Sequence, residues 1–218
     1  MTRKSKLLSV FLCVVCALFI LTASIAVPML LRPFYYVQIG PLGLEAQTSL
    51  SRDQIITAYD EMMDYCTGLS VRFSVGGLPW SESGRDHFAD VRSLFLLDLW
   101  VAAACGLILL GWTLVRQNSC VQPYRFMKRG FPFWGSAGLG GAFLAVGGLA
   151  ALDFERAFFL FHALFFPGKD NWLFDWRTDP VILILPQAFF RNCAVAILVL
   201  MLVLCAVCIL HDLRCKGE

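Results

Sequence analysis

The sequence predicts an all-α membrane protein with four transmembrane helices, and three observations carry that reading. The 218 residues are 58% hydrophobic and 16% charged, a balance that no water-soluble domain of this length needs. Four apolar stretches, 7–31, 93–115, 131–152 and 181–210, each reach the roughly 20 residues that a helix needs to cross a bilayer core. The basic residues, finally, sort to one side. Arg3, Lys4 and Lys6 precede the first stretch, Arg116, Arg125, Lys128 and Arg129 lie between the second and third, and Arg214 and Lys216 follow the fourth. Only Asp212 and Glu218 oppose them there. Since Lys and Arg are retained in the cytoplasm, both termini are expected inside, with the two longer loops, 32–92 and 153–180, outside. The chain reads as one integral membrane domain, 1–218.

The first stretch begins like a secretory signal, with basic residues, an apolar core and a small-residue run at Ser24-Ile25-Ala26. It reads as a retained anchor, because apolar residues continue through Val27, Met29, Leu30 and Leu31, and Tyr35 and Tyr36 follow at the depth of an aromatic belt.

In the first outer loop, Ser51 and Gln54 have capping-box spacing and Leu50 with Ile55 has the spacing of a hydrophobic staple, so a helix is predicted to start there. Gly68 is its natural stop. Ile55, Tyr59, Met62 and Cys66 fall on one side of that helix, which is expected to cover the ends of the spans. Cys66 is the one outer-loop cysteine of nine, expected to be a packing residue within reach of outer-facing thiol labels.

After Pro79-Trp80, Ser83 is positioned to cap a helix that runs through Arg85-Asp86-His87-Phe88-Ala89-Asp90 into the second span. Asp90 is at i+3 from His87, the spacing at which its carboxylate can hydrogen-bond one ring nitrogen and fix the tautomer. The same face leads to Asp98 inside the span. A buried charge is costly, so Asp98 is expected to pair with Arg191 in span four. The third span is rich in glycine, alanine and serine, which lets helices approach closely in lipid. It lacks the Lys-Ser or Lys-Thr that would make a phosphate loop.

The stretch from Ala157 to Pro186 has too much polar chemistry for its apolar surroundings. Phe158 to Phe166 is interrupted only by His162 and is too short to span a bilayer. It is expected to be a re-entrant or interfacial segment ended by Pro167-Gly168, with Trp172, Phe174 and Trp176 at headgroup depth. A lone histidine in such a place is more often structural than catalytic. His162 gains weight because His87, the other outer histidine, is also membrane-proximal, whereas His211 sits at the cytoplasmic end of span four.

Glu82-x-x-x-x-His87-x-x-Asp90-Val91 before span two resembles a family of bacterial four-span membrane proteins that includes the lipoprotein intramolecular transacylases. So does Phe161-His162-x-x-Phe165-Phe166, with Trp172-x-Phe174, Asp179 and Pro186-x-x-Phe189-Phe190. The resemblance covers essentially the whole chain. Where the family commonly has an acidic residue after the proline, this chain has Gln187.

The resemblance implies an enzyme that moves the sn-2 acyl chain of a diacylglyceryl-cysteine lipoprotein to the α-amine of the same cysteine, leaving a lyso-form lipoprotein. It places His87 and His162 as the catalytic histidines. On that reading His87 is expected to be the general base, oriented by Asp90, and His162 the oxyanion donor or general acid, with the two exchangeable. Trp172, Arg85, Asp98 and Arg191 are candidate substrate-binding residues. The expected partners are the diacylated lipoprotein and membrane lipid, in a bacterial cell membrane with the site facing outside. No nucleic-acid partner and no cofactor are expected, and no HExxH or close ligand spacing supports a metal. Two other classes compete: a scaffold binding a partner through its outer loops, and a transporter, for which the spans show few buried charges and no inverted repeat.

Overall fold

The computed structural model describes residues 3–214, so Lys216 and Glu218 of the predicted charge asymmetry lie outside the described residues. The elements run β1 (Arg3–Ser5), α1 (Lys6–Leu30), α2 (Pro33–Tyr36), α3 (Leu44–Thr48), α4 (Arg52–Cys66) and α5 (Glu82–Val115). They continue through β2 (Val121–Pro123), α6 (Phe131–Leu152), α7 (Phe154–Phe165), α8 (Val181–Ile184) and α9 (Gln187–Arg214). Helices α1, α5, α6 and α9, of 25, 34, 22 and 28 residues, are long and apolar enough to cross a membrane.

The fourth span differs from its predicted limits. It begins at Gln187 rather than Val181, and Val181–Ile184 forms the separate α8. Pro186 is the cause: its ring pushes the preceding residue out of helical geometry, and Leu185 takes φ −123°, ψ 58°. At about 1.5 Å per residue, the 34 residues of α5 exceed a hydrocarbon core by roughly 20 Å. The stretch 82–92, with His87 and Asp90, is the polar part of α5 and accounts for most of that excess.

The chain divides into two compact units. One comprises the described residues through Val27, Asp98–Leu149 and those from Ala196 onward. Its core cluster is Cys16, Ile20, Met201 and Cys205. Gly135 faces the backbone of α1 so closely that a Cβ there would lie 2.7 Å from the carbonyl oxygen of Cys13, the close approach expected of the small residues in span three. Strands β1 and β2 pair in parallel, with Arg3 opposite Val121. Buried Asp212, in α9, accepts from the Gly130 amide at 3.0 Å and from Arg125 at 3.4 Å. The N-terminal segment, the α5–α6 loop and the end of α9 therefore meet at one end of this unit.

The second unit comprises Pro28–Leu97 and Ala150–Val195. The Ser51–Gln54 capping box is present, and α4 stops before Gly68 at φ +85°. Ile55, Tyr59, Met62 and Cys66 are buried on one face. Tyr59 stacks on Tyr35, their centroids 3.7 Å apart, and the Tyr35 hydroxyl donates to the Ile184 carbonyl at 2.8 Å. Arg32 bridges Asp60 and Asp64 on the other side of α4. Cys66 is only 1% exposed and burial pushes its thiol up to about 12, which overturns the expectation that outer labels reach it.

Candidate active site

Two helices of the second unit bring His87 and His162 together. On α5 the cap is Ser81, not Ser83: the Ser81 hydroxyl accepts from the Gly84 amide at 3.0 Å, two residues upstream of the predicted position. The Ser81 amide in turn donates to Asp179 at 2.8 Å, and Thr178 donates to the other carboxylate oxygen at 2.8 Å. Asp179, 4% exposed, thus ties the chain entering α8 to the first turn of α5. Gly84 makes this possible, since a Cβ there would collide with the Asp179 carboxylate.

Helix α7 is capped by Asp153, whose side chain accepts from the Arg156 amide at 2.9 Å. Phe159, Leu160, Phe161, Leu164 and Phe165 are exposed, while His162 is 8% exposed. After the exposed Glu155 and Arg156 of the first turn, the single polar side chain of Phe158–Phe166 is the one facing inward, the reverse of a water-soluble amphipathic helix and the arrangement suited to lipid outside. Phe166 leaves helical geometry and Gly168 takes φ +73°, so α7 ends at the predicted Pro167-Gly168 turn.

The two imidazole centroids lie 6.0 Å apart with an interplanar angle of 30°. Phe166 and Phe174 pack on His87 at 5.0 and 5.4 Å, and Trp172 stacks on His162 at 4.5 Å. Both rings are buried, His87 to 6% exposure. Burial drives His87 down to about 4, with His162 pushing the same way and Asp90 opposing. Burial also lowers His162, against a hydrogen bond to Phe158. Both rings are therefore neutral near pH 7. Since a carbonyl oxygen only accepts, the 2.8 Å contact between His162 Nδ1 and the Phe158 carbonyl puts the proton on Nδ1 and leaves the Nε2 lone pair free.

Asp90 departs from expectation. Its carboxylate does not orient His87: Lys169 Nζ donates to both its oxygens at 2.7 Å, and Asn171 Nδ2 donates to one at 3.3 Å. The ammonium of Lys169 is the stronger donor and wins the carboxylate. These bonds outweigh burial and hold Asp90 below the usual carboxylate range. His87 Nδ1 and Asn171 Oδ1 are buried without a hydrogen-bond partner among the described residues. Lys169 and Asn171 went unread in the sequence, where Pro167-Gly168-Lys169-Asp170-Asn171 looks like an ordinary polar turn.

Trp172 is in the site, its indole N–H donating to the Lys169 carbonyl at 3.1 Å. Arg85 points instead to its neighbour Asp86, at 3.1 Å. The expected ion pair of Asp98 with Arg191 is not among the ion pairs of the described residues. Asp98 Oδ2 is buried without a hydrogen-bond partner among them, and Arg191 is exposed. A charge in lipid does not oblige a partner to be within reach. Among the described residues, no three His, Cys, Asp or Glu side chains are arranged to hold a metal ion.

No curated relative matches the chain. Three solved structures do, all of the membrane integral lipoprotein intramolecular transacylase Lit from Bacillus cereus. The first is 28% identical, with a TM-score of 0.81, over 95% of this chain and 93% of that one. Two others have one histidine replaced. With arginine the identity is 25% and the coverage 97% and 94%; with alanine the values are 26%, 96% and 94%, and both TM-scores are 0.76. The family model of lipoprotein intramolecular transacylase Lit matches residues 10–190. Four apolar helices, a buried histidine pair and these likenesses agree: the chain belongs to the lipoprotein intramolecular transacylase Lit family.

Proposed function

We propose that this membrane acyltransferase works through His87 and His162, moving the sn-2 acyl chain of a diacylglyceryl-cysteine lipoprotein to the α-amine of that cysteine. The observation that supports the reading most is the pairing of the two buried rings 6.0 Å apart, on helices distant in sequence. The family and the related structures carry the activity; a histidine is also the residue replaced in two of those structures.

The tautomer of His162 favours an exchange of the roles expected from sequence. With Nδ1–H held by Phe158, His162 presents Nε2 as the general base. Neutral His87 carries one N–H, which suits it to donate to the oxyanion. As the amine nitrogen attacks the sn-2 ester carbonyl, the new N–C bond forms and His162 takes the nitrogen's proton. Collapse breaks the bond to the glycerol oxygen, which takes that proton back. The products are an amide on cysteine and a free sn-2 hydroxyl. Donor and acceptor belong to one molecule, so orientation supplies much of the rate. The apolar ring cage keeps water from competing as nucleophile.

The basic ends of α1, the α5–α6 loop and α9 would lie in the cytoplasm of a bacterial cell and the histidine pair outside, where diacylated lipoproteins are displayed. The test is to express the chain in a host that supplies diacylated lipoprotein and to sequence the lipoprotein N-terminus by mass spectrometry. An N-acylated lyso-form that depends on the gene is expected; unchanged diacyl lipoprotein would contradict the reading.

A further inference from the structure

The loop between α5 and α6 contains a turn that its own residues do not favour. Phe126 and Arg129 form an antiparallel bridge, and the Arg129 amide donates to the Phe126 carbonyl at 2.9 Å. Between them Met127 and Lys128 take φ 47° and 64°. Two successive left-handed residues make a tight hairpin turn that prefers Asn-Gly and disfavours side chains of this size. The turn is held from inside its own unit. Arg125 donates to the Lys128 carbonyl at 3.1 Å, and buried Asp212 of α9 accepts from Arg125 and from the Gly130 amide. Strain that the surroundings fix in this way points to a use for the side chains on display.

Those side chains are Met127, 72% exposed, and Phe126, 55% exposed, with exposed Lys128 next to them. Their depth follows from α6. Its 22 residues extend about 33 Å, close to the roughly 30 Å of a hydrocarbon core, so Trp134 in its first turn lies at the bilayer boundary. Phe126 packs against Trp134 with centroids 5.4 Å apart, and the Trp134 indole donates to the Phe126 carbonyl at 3.2 Å. The hairpin is thereby folded back to that depth instead of reaching into water. Cations surround it: Lys128 in the turn, Arg129 over the Phe133 ring at 5.5 Å, and Lys6 over the Tyr124 ring at 5.7 Å. None of the three is in an ion pair among the described residues. The described carboxylate at this end, Asp212, is 4% exposed and turned inward.

We propose that this hairpin is a binding site for an anionic phospholipid, with Phe126 and Met127 entering the acyl region beside Trp134 while Lys128, Arg129 and Lys6 hold the phosphodiester. Apolar side chains beside cations are the combination that fastens a surface element to an anionic leaflet. The headgroup oxygens supply the acceptors that the three cations lack. A bound lipid would brace the start of α6, and the site belongs to the first unit while the histidine pair belongs to the second.

Native mass spectrometry of the full chain, released from nanodiscs of mixed phosphatidylglycerol and phosphatidylcholine, reads which lipid stays bound. Wild type is expected to retain phosphatidylglycerol preferentially, and K128Q/R129Q to lower that preference by about fivefold or more. R116Q/R214Q, which removes two exposed cations outside the hairpin, is expected to leave it within about twofold. M127N/K128G gives the turn its favoured residues, so it should raise Tm and still lose the preference, a loss that misfolding cannot explain. No preference in wild type, an equal loss in R116Q/R214Q, or an undiminished preference in K128Q/R129Q or M127N/K128G would overturn the site. A lower Tm for M127N/K128G would contradict the strained turn on which it is built. If K128Q/R129Q fails to fold, the M127N/K128G result decides alone.

Discussion

His162 Nδ1 lies 2.8 Å from the carbonyl oxygen of Phe158, one turn earlier on the same helix. This contact commits the ring to a single neutral tautomer with Nε2 free. Nitrogen NMR of the labelled protein should find the His162 proton on Nδ1. Because burial lowers His162 from its ordinary value, its basic form is already dominant at pH 7. Protonation of the substrate α-amine slows the reaction below about pH 8, and beneath that limb the enzyme's own acid limb should lie below about 6.5. A second limb that belongs to the enzyme and is centred above about 6.5 would contradict the assignment.

Acid should also loosen the fold through His87. Unfolded, this ring titrates near 6.5, and folded near 4, so the unfolded chain binds more protons between those values. Its contribution is complete above about pH 6.5 and is lost as pH falls toward 4, amounting to up to about 3 kcal/mol. H87F fits the surrounding cage of Phe88, Phe166 and Phe174. It should fold, be inactive, and lose less Tm than wild type between pH 6.5 and 4. An identical pH dependence of Tm in both proteins would rule out this role for His87.

Much of this architecture was legible in the sequence because it depends on local pattern. Hydropathy located all four spans, the Ser51–Gln54 spacing started α4, and the apolar surroundings of His162, with His87 as the other membrane-proximal outer histidine, marked both members of the pair. What escaped depends on chain segments far apart in sequence. Asp90 was assigned to its helical neighbour His87, but Lys169 reaches it from another loop with full charge. Ser81, not Ser83, caps α5, where a second anchor, Asp179, reinforces the cap. Leu185 and Pro186 divide an apolar run that hydropathy alone reads as continuous.

The anchor at Asp179 yields a prediction. G84A puts a methyl group where the Asp179 carboxylate lies and displaces the bond to the Ser81 amide. It should destabilise by about 1–3 kcal/mol and lower turnover, because the first turn of α5 positions His87. Thermal unfolding in detergent checks the first effect; wild-type Tm would show that the carboxylate is free to move aside.

Thiol labelling separates burial from topology. Cys66, buried with its thiol raised to about 12, should resist outer-facing reagents in the native protein and react after denaturation. A cysteine placed at exposed Asp170 should react from outside. Cys120, also exposed, should react only when reagent enters the cell. Labelling of Cys120 from outside would invert the membrane arrangement.

Asp98 should be dispensable for stability. With Oδ2 buried and unpartnered among the described residues, D98N removes a charge without breaking an ion pair. Tm is expected to hold or rise. A loss of more than about 1 kcal/mol would show that a partner was broken.

The central claim is that the histidine pair performs the transfer, and the most direct test is the rate of lyso-form production from a diacylated lipoprotein in membranes carrying wild type, H87A or H162A. Removing a general base or an oxyanion donor costs about a hundredfold or more. Each variant should therefore reach the membrane at normal levels yet produce lyso-form about a hundredfold slower or not at all. Production at the wild-type rate by either variant would contradict the two-histidine mechanism.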